Sequence, residues 1–181
     1  MKKLYLLRHG QTEFNVKKLV QGRCDSPLTD LGRQQAGMAA AWLKGHGVVP
    51  DKVVSSSLGR AMDTAQLVAC ELLGPDAAAE PCEGIIERCY GTFEEGPHDA
   101  LPTDVWDPGE DLVPFGGEGS HALQERMVGT LTNIMGAEGI ETLLAVSHGS
   151  ASRQFIRRRR PRGLRAPNKT PQLRHHDFRF R

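Results

Sequence analysis

Leu4-Tyr5-Leu6-Leu7-Arg8-His9-Gly10-Gln11-Thr12 opens the chain. Four apolar residues without a polar break suit a short strand buried on both faces, as in a parallel sheet. A cation, an imidazole and a glycine follow at once, where the carboxyl end of that strand falls. The form returns near the far end: Thr142-Leu143-Leu144-Ala145-Val146-Ser147 runs into His148-Gly149. Between them, Lys52-Val53-Val54-Ser55 reads as another strand and leads into Ser56-Ser57-Leu58-Gly59-Arg60-Ala61. Helical spacing joins these strands. Ala36, Ala39, Ala40 and Leu43 recur along residues 31–44, with Thr29 or Asp30 as cap and Gly45-His46-Gly47 as stop. Residues 58–73, closed by Gly74-Pro75, and residues 120–135 also read as helices. A weak strand is expected at 84–87, and residues 91–119, rich in Gly, Pro and acids, form an irregular excursion.

Strands that alternate with helices predict an α/β fold with the sheet covered on both faces. Ligands of such sheets collect at the carboxyl ends of strands. Arg8-His9-Gly10, Ser55 to Arg60, and Ser147-His148-Gly149 all fall there.

The chain has 181 residues, 39% hydrophobic and 25% charged, which suits one domain with a real core. The apolar stretch after Met1-Lys2-Lys3 is too short for a signal peptide or a membrane span, so a cytoplasmic protein with no membrane partner is expected. Cys24, Cys70, Cys82 and Cys89 form no C-x-x-C pair, which argues against zinc and for free thiols. The net charge of +1 hides an asymmetry. Residues 157–181 hold ten Lys and Arg and one acid, while the rest holds thirteen against twenty-one.

Imidazole is a good nucleophile when neutral. Cations such as Arg8 and Arg60 beside His9 disfavour imidazolium and attract a phosphate dianion. Gly10 would let the backbone approach a ligand. Arg60 lies in the first turn of a helix, whose free N–H groups suit an anion. His148 repeats the strand–His–Gly arrangement and can donate to a phosphate oxygen. Each segment alone also has a purely structural reading: a strand-end histidine that packs, serines that cap a helix, an arginine in solvent. A phosphoester's leaving group needs a proton, which a carboxyl group supplies. Glu87, Glu94 and Glu95 are all local candidates for it.

Taken together, these residues resemble the histidine phosphatase superfamily, in the branch of cofactor-dependent phosphoglycerate mutases and related phosphatases. The likeness runs from Leu4 to about Phe155. It includes Leu6-Leu7-Arg8-His9-Gly10-Gln11-Thr12, Asn15, Gln21 to Thr29, Leu31-Gly32, Gln35-Ala36, Ser55 to Ala61, Thr64-Ala65, Glu87 to Gly91, Gly116-Gly117-Glu118 and Val146 to Gly149. The resemblance implies a three-layer α/β/α sandwich and a phosphohistidine on His9. It implies a phosphate pocket of Arg8, Arg60 and His148 with Asn15 assisting, and Glu87 as proton donor. Gln21, Gly22, Tyr90 and Gly149 are expected against the substrate, a small phosphorylated compound. No metal or other cofactor is implied, and monomer or homodimer are both expected states.

Phosphatase and mutase share this pocket. The mutases resemble one another in a long insertion with paired arginines that grip a carboxylate. Here residues 91–119 contain no Lys or Arg and eight acids, so a negative lid is expected to repel phosphoglycerate and favour a phosphatase. Glu87-Arg88-Cys89-Tyr90-Gly91 is closer to the mutase form. The likeness divides the chain into a phosphatase domain, 1–156, and a basic tail, 157–181, where a further helix and strand would be usual. The tail shows little apolar periodicity. An out-of-frame or truncated end is the favoured reading, nucleic-acid binding through the tail the other. A defective binding protein is a third alternative for the whole chain.

Overall fold

The computed structural model describes residues 2–159 and 173–176. Its elements are β1 (Lys3–Arg8), α1 (Glu13–Lys17), α2 (Asp30–Gly45), β2 (Lys52–Ser55), α3 (Gly59–Leu73), β3 (Glu80–Pro81), α4 (Ser120–Gly136), β4 (Thr142–Ser147), α5 (Gly149–Arg159) and β5 (Leu173–His176). The sheet order is β3-β2-β4-β1-β5. β1, β2, β3 and β4 run parallel; β5 pairs antiparallel with β1, Leu7 opposite Leu173 and Leu4 opposite His176.

The two-residue period of the strands sorts side chains into two cores. Tyr5, Leu7, Val53, Leu144 and Val146 meet the alanine-rich faces of α2 and α3. Leu4, Leu6, Val54, Leu143 and Ala145 meet Leu123, Met127, Leu131 and Phe155 of α4 and α5. Each fully buried Leu, Met or Phe there contributes about 1.5–3 kcal/mol. The result is the expected α/β fold with helices on both faces, as sandwich layers.

Thr29 caps α2, its Oγ1 accepting from Gly32 N at 3.0 Å. The strand expected at 84–87 is instead a single 3₁₀ turn, Glu83–Ile85, and the pairing segment is β3, just upstream. The excursion 91–119 contains only single 3₁₀ turns and carries its own small core of Val20, Tyr90, Leu101 and Leu112. Gly10 makes a close approach to protein rather than ligand: a Cβ there would lie 2.3 Å from Gly32 O, so the glycine seats the start of α2 against the loop after β1.

Sequence pattern shows no strand after residue 156. α5 in fact runs through Arg159, and β5 covers the β1 edge. A four-residue edge strand is held by backbone pairing, which leaves no apolar period to read. The nucleic-acid and out-of-frame readings rest mainly on residues 160–172 and 177–181, which lie outside the described residues. Among the described residues no helix is long and apolar enough to cross a membrane.

Candidate active site

β1 and β4 are neighbours in register, Arg8 opposite Ser147, so both His-Gly corners emerge side by side. His9 N–H donates to Ser147 O at 3.0 Å. The His9 and His148 rings lie 5.1 Å apart, and both residues are buried. His9 Nδ1 is 2.7 Å from Gly10 O. A carbonyl only accepts, so Nδ1 carries the proton and Nε2 keeps the free lone pair. Burial first, then Arg8 and Arg60, push the His9 pKa well below its usual value. The neighbouring cations are thus the smaller cause, and loss of solvent the larger. Burial, then Arg60 and His9, act in the same direction on His148.

Arg60 is buried and braced across the chain. Its Nη1 donates to Cys24 O at 2.8 Å and Asp25 Oδ1 at 2.9 Å, and its Nη2 to Gly22 O at 2.8 Å. Arg60 N also faces Asp25 Oδ1 at 3.4 Å, so a protein carboxylate sits at the start of α3, where the helix N-terminus is expected to take a ligand anion. Arg8 stands 5.3 Å from the centroid of Trp106, and burial pulls its pKa below the usual arginine value. Arg8 Nε, Arg60 Nε and His148 Nδ1 are buried without hydrogen-bond partners among the described residues. Such groups are rare in native interiors. Their concentration around two histidines makes a cradle for an anion.

Glu87 sits at the start of α5, accepting from Arg88 N at 2.8 Å, Ala151 N at 2.9 Å and Ser150 N at 3.2 Å. Glu94, one of its sequence rivals, is occupied elsewhere, accepting from Tyr90 N at 2.9 Å and Arg23 N at 3.0 Å.

Arg8, His9, Arg60 and Glu87 line one inner cavity of about 50 Å³, with Asn15, Gln21, Gly22 and Tyr90 on its walls. It adjoins an outer cavity of about 250 Å³ that shares Arg8, His9, Asn15, His98 and Trp106. His148 packs beside His9, its Nε2 2.7 Å from Ser56 Oγ. Gly149 lies against protein: a Cβ there would come within 2.9 Å of the Trp106 ring.

Ser56, inside the expected segment Ser55 to Arg60, supports His148. Other residues of the site carry no sequence signal. Arg126 pairs with Glu118, Nη2 to Oε2 at 2.7 Å, and its Nη1 holds Gly84 O and Ile86 O at 3.1 Å each, fixing the segment before Glu87. Trp106 and His98 come from the excursion. No local pattern marks any of them. None of the eight acids of the excursion lines either cavity; Glu118 pairs with Arg126, Asp107 with Arg157, and Glu94 serves backbone donors. What the excursion contributes to the two cavities is His98, Val105 and Trp106.

The histidines carry a pH prediction. Both have folded pKa values below the unfolded value of about 6.5, so the unfolded chain binds more protons as pH falls beneath it. Stability is therefore present above pH ~6.5 and lost below it, by at most ~1.4 kcal/mol per pH unit for each histidine. Melting followed from pH 7.5 to 5.5 should show Tm falling by roughly 4–8 °C, with a shallower fall in His9→Gln. A Tm that holds or rises on acidification contradicts the buried neutral pair.

The family model described as histidine phosphatase superfamily, branch 1, matches residues 4–176. A broad-specificity phosphatase of Saccharomyces cerevisiae is 32% identical over 157 residues, 85% of this chain and 68% of its own. A probable phosphoglycerate mutase of Proteus mirabilis is 32% identical over 155 residues, 83% of this chain and 71% of its own. Among solved structures, the YhfR protein of Bacillus stearothermophilus superposes with a TM-score of 0.76 at 30% identity, covering 86% of this chain and 78% of that one. A phosphoserine phosphatase of Entamoeba histolytica in complex with phosphoserine gives 0.72 at 32% identity, with the same coverage.

Proposed function

The chain belongs to branch 1 of the histidine phosphatase superfamily, and we propose that it hydrolyses small phosphomonoesters through a phosphohistidine formed on His9. The observation that carries this reading is the state of His9: Nδ1 tied to Gly10 O, Nε2 free, and partnerless donors of Arg8 and Arg60 at the same cavity. The phosphatase relatives support the reaction class.

The steps follow from these atoms. The phosphoryl dianion enters the inner cavity, where Arg8 and Arg60 balance its charge. His148 has its proton on Nδ1 when Ser56 Oγ, which accepts from Leu58 N at 3.3 Å, donates its own proton to Nε2. That partnerless N–H then offers the phosphoryl oxygens a donor. The His9 Nε2 lone pair attacks phosphorus and the bond to the alcohol oxygen breaks. Glu87 gives that oxygen its proton. Water then attacks the phosphohistidine, Glu87 takes the proton back, and Nε2 leaves as neutral imidazole. Gln21 and Tyr90 wall the leaving-group side. Asn15, whose Oδ1 accepts from Thr12 N at 3.1 Å, presents its amide to the same space.

The mutase alternative is separated by product. With 3-phosphoglycerate and a 2,3-bisphosphoglycerate primer, release of inorganic phosphate should outrun formation of 2-phosphoglycerate; the reverse order overturns the phosphatase reading. Glu87→Gln tests the proton donor. Alkyl phosphates, with basic leaving groups, should lose about 10²–10⁴-fold in kcat. 4-Nitrophenyl phosphate, which leaves without a proton, should lose at most about tenfold. Equal losses on both would mean that Glu87 only anchors α5.

A further inference from the structure

We propose that this site, read as a phosphatase, selects phosphomonoesters of uncharged alcohols with an aromatic body, and that Trp106 is the residue that selects them. The charge inventory comes first. Arg8 and Arg60 are the only Lys or Arg side chains lining the two cavities among the described residues, and both belong to the phosphoryl end. Arg23, the nearby cation on the loop after Gly22, faces Glu118 at 3.9 Å instead. A leaving group with a carboxylate would lose its water there without finding a counter-charge, which is costly.

Shape and surface come second. The outer cavity, about 250 Å³, has room for a benzene-sized group, and Trp106 is the apolar wall it offers beside Gln11, Asn15, Gln35 and His98. Trp106 spans both cavities, and Leu19, Val20, Tyr90 and Val105 continue the inner wall. Tyr90 donates its hydroxyl to Val105 O at 2.7 Å, so its polar end is spent on protein. Tyr90 and Val20 belong to the small core of the excursion, which stiffens this wall.

Trp106 is held in place from both sides. Its backbone N–H donates to Asp104 Oδ1 at 2.9 Å, which fixes the local turn. The next residue, Asp107, accepts from Gln154 Nε2 at 2.9 Å and pairs with Arg157, which latches the excursion to α5. The glycine at the head of α5 leaves room for the ring: a Cβ on Gly149 would meet it at 2.9 Å. An indole beside Arg8, at the phosphoryl end, is a stacking platform for a flat, uncharged leaving group.

The test compares 2-phenylethyl phosphate, ethyl phosphate and 3-phosphoglycerate, whose alcohols are similarly basic, so that binding rather than leaving ability is read. The expected kcat/KM for 2-phenylethyl phosphate exceeds that for ethyl phosphate at least about tenfold, mainly through KM, and 3-phosphoglycerate falls at or below ethyl phosphate. In Trp106→Ala, checked for cooperative melting, the ratio of phenylethyl to ethyl should collapse to within about threefold of one. Preference for 3-phosphoglycerate, or a ratio that survives in Trp106→Ala, overturns the selectivity while hydrolysis itself stands. No phosphate release from any of the three removes the phosphatase reading and the proposal with it.

Discussion

His9→Ala is expected to lose at least about 10³-fold in kcat/KM toward any phosphomonoester, and to lose all covalent labelling by phosphate donor. The reason is local. Nε2 of His9 holds a free lone pair at the inner cavity, and alanine leaves nothing to form the intermediate. Rapid quench with radiolabelled substrate should trap an acid-labile, alkali-stable phosphoprotein in the native chain and none in the variant. The fold should survive, because the lost side chain contributes a hydrogen bond only to its neighbour Gly10 among the described residues. Melting within a few degrees of the native chain is therefore expected near neutral pH. Variant activity above a tenth of native, or persistent labelling, would place the nucleophile elsewhere.

Arg88→Met should be the most destabilising single change near the site, by about 3–5 kcal/mol. Arg88 is fully buried, yet its partners are neutral: Ser150 Oγ at 3.0 Å, Ser120 Oγ at 2.8 Å, Gly109 O at 3.2 Å and Glu118 O at 2.7 Å. These groups come from α5, α4 and the excursion, so one guanidinium ties all three together. Methionine fills similar space but strands the two carbonyls and two hydroxyls. For a domain of this size the loss corresponds to a Tm lower by roughly 10 °C. The excursion should loosen first, since Gly109 and Glu118 are its attachment points. A glutamyl-specific protease should therefore cut within residues 91–119 faster in the variant. A Tm within about 2 °C of native and unchanged cleavage would mean that the hydrogen bonds of Arg88 are replaceable by water.

Much of this architecture is legible in the amino-acid pattern. β1, β2 and β4 are uninterrupted apolar runs, and α2 carries its alanines at helical spacing, so pattern alone locates them. The strand-end rule then brings Arg8, His9, Arg60 and His148 to one edge of the sheet without reference to any relative. Where pattern fails, the physical reason differs by case. β3 and β5 are short pairing segments with no period of their own. The net charge of the acid excursion suggests a repelling lid, whereas none of its carboxylates lines either cavity, and Glu118, Asp107 and Glu94 are engaged by Arg126, Arg157 and backbone N–H groups. A glycine after a strand suggests a ligand as neighbour, and the neighbour of Gly10 is Gly32.

Local pattern therefore carries the α/β layering and the cationic strand-end site, because strand period and strand-end position are properties of short segments. Tertiary contacts decide which carboxylate lines the inner cavity. Glu87, Glu94 and Glu95 are equivalent along the chain, and Glu87 is the one that reaches the N–H groups of Ser150 and Ala151, more than sixty residues away. They likewise place Trp106, from an irregular loop, over Arg8. Such choices depend on contacts between distant segments, and those exist only once the two cores have brought the sheet and its helices together.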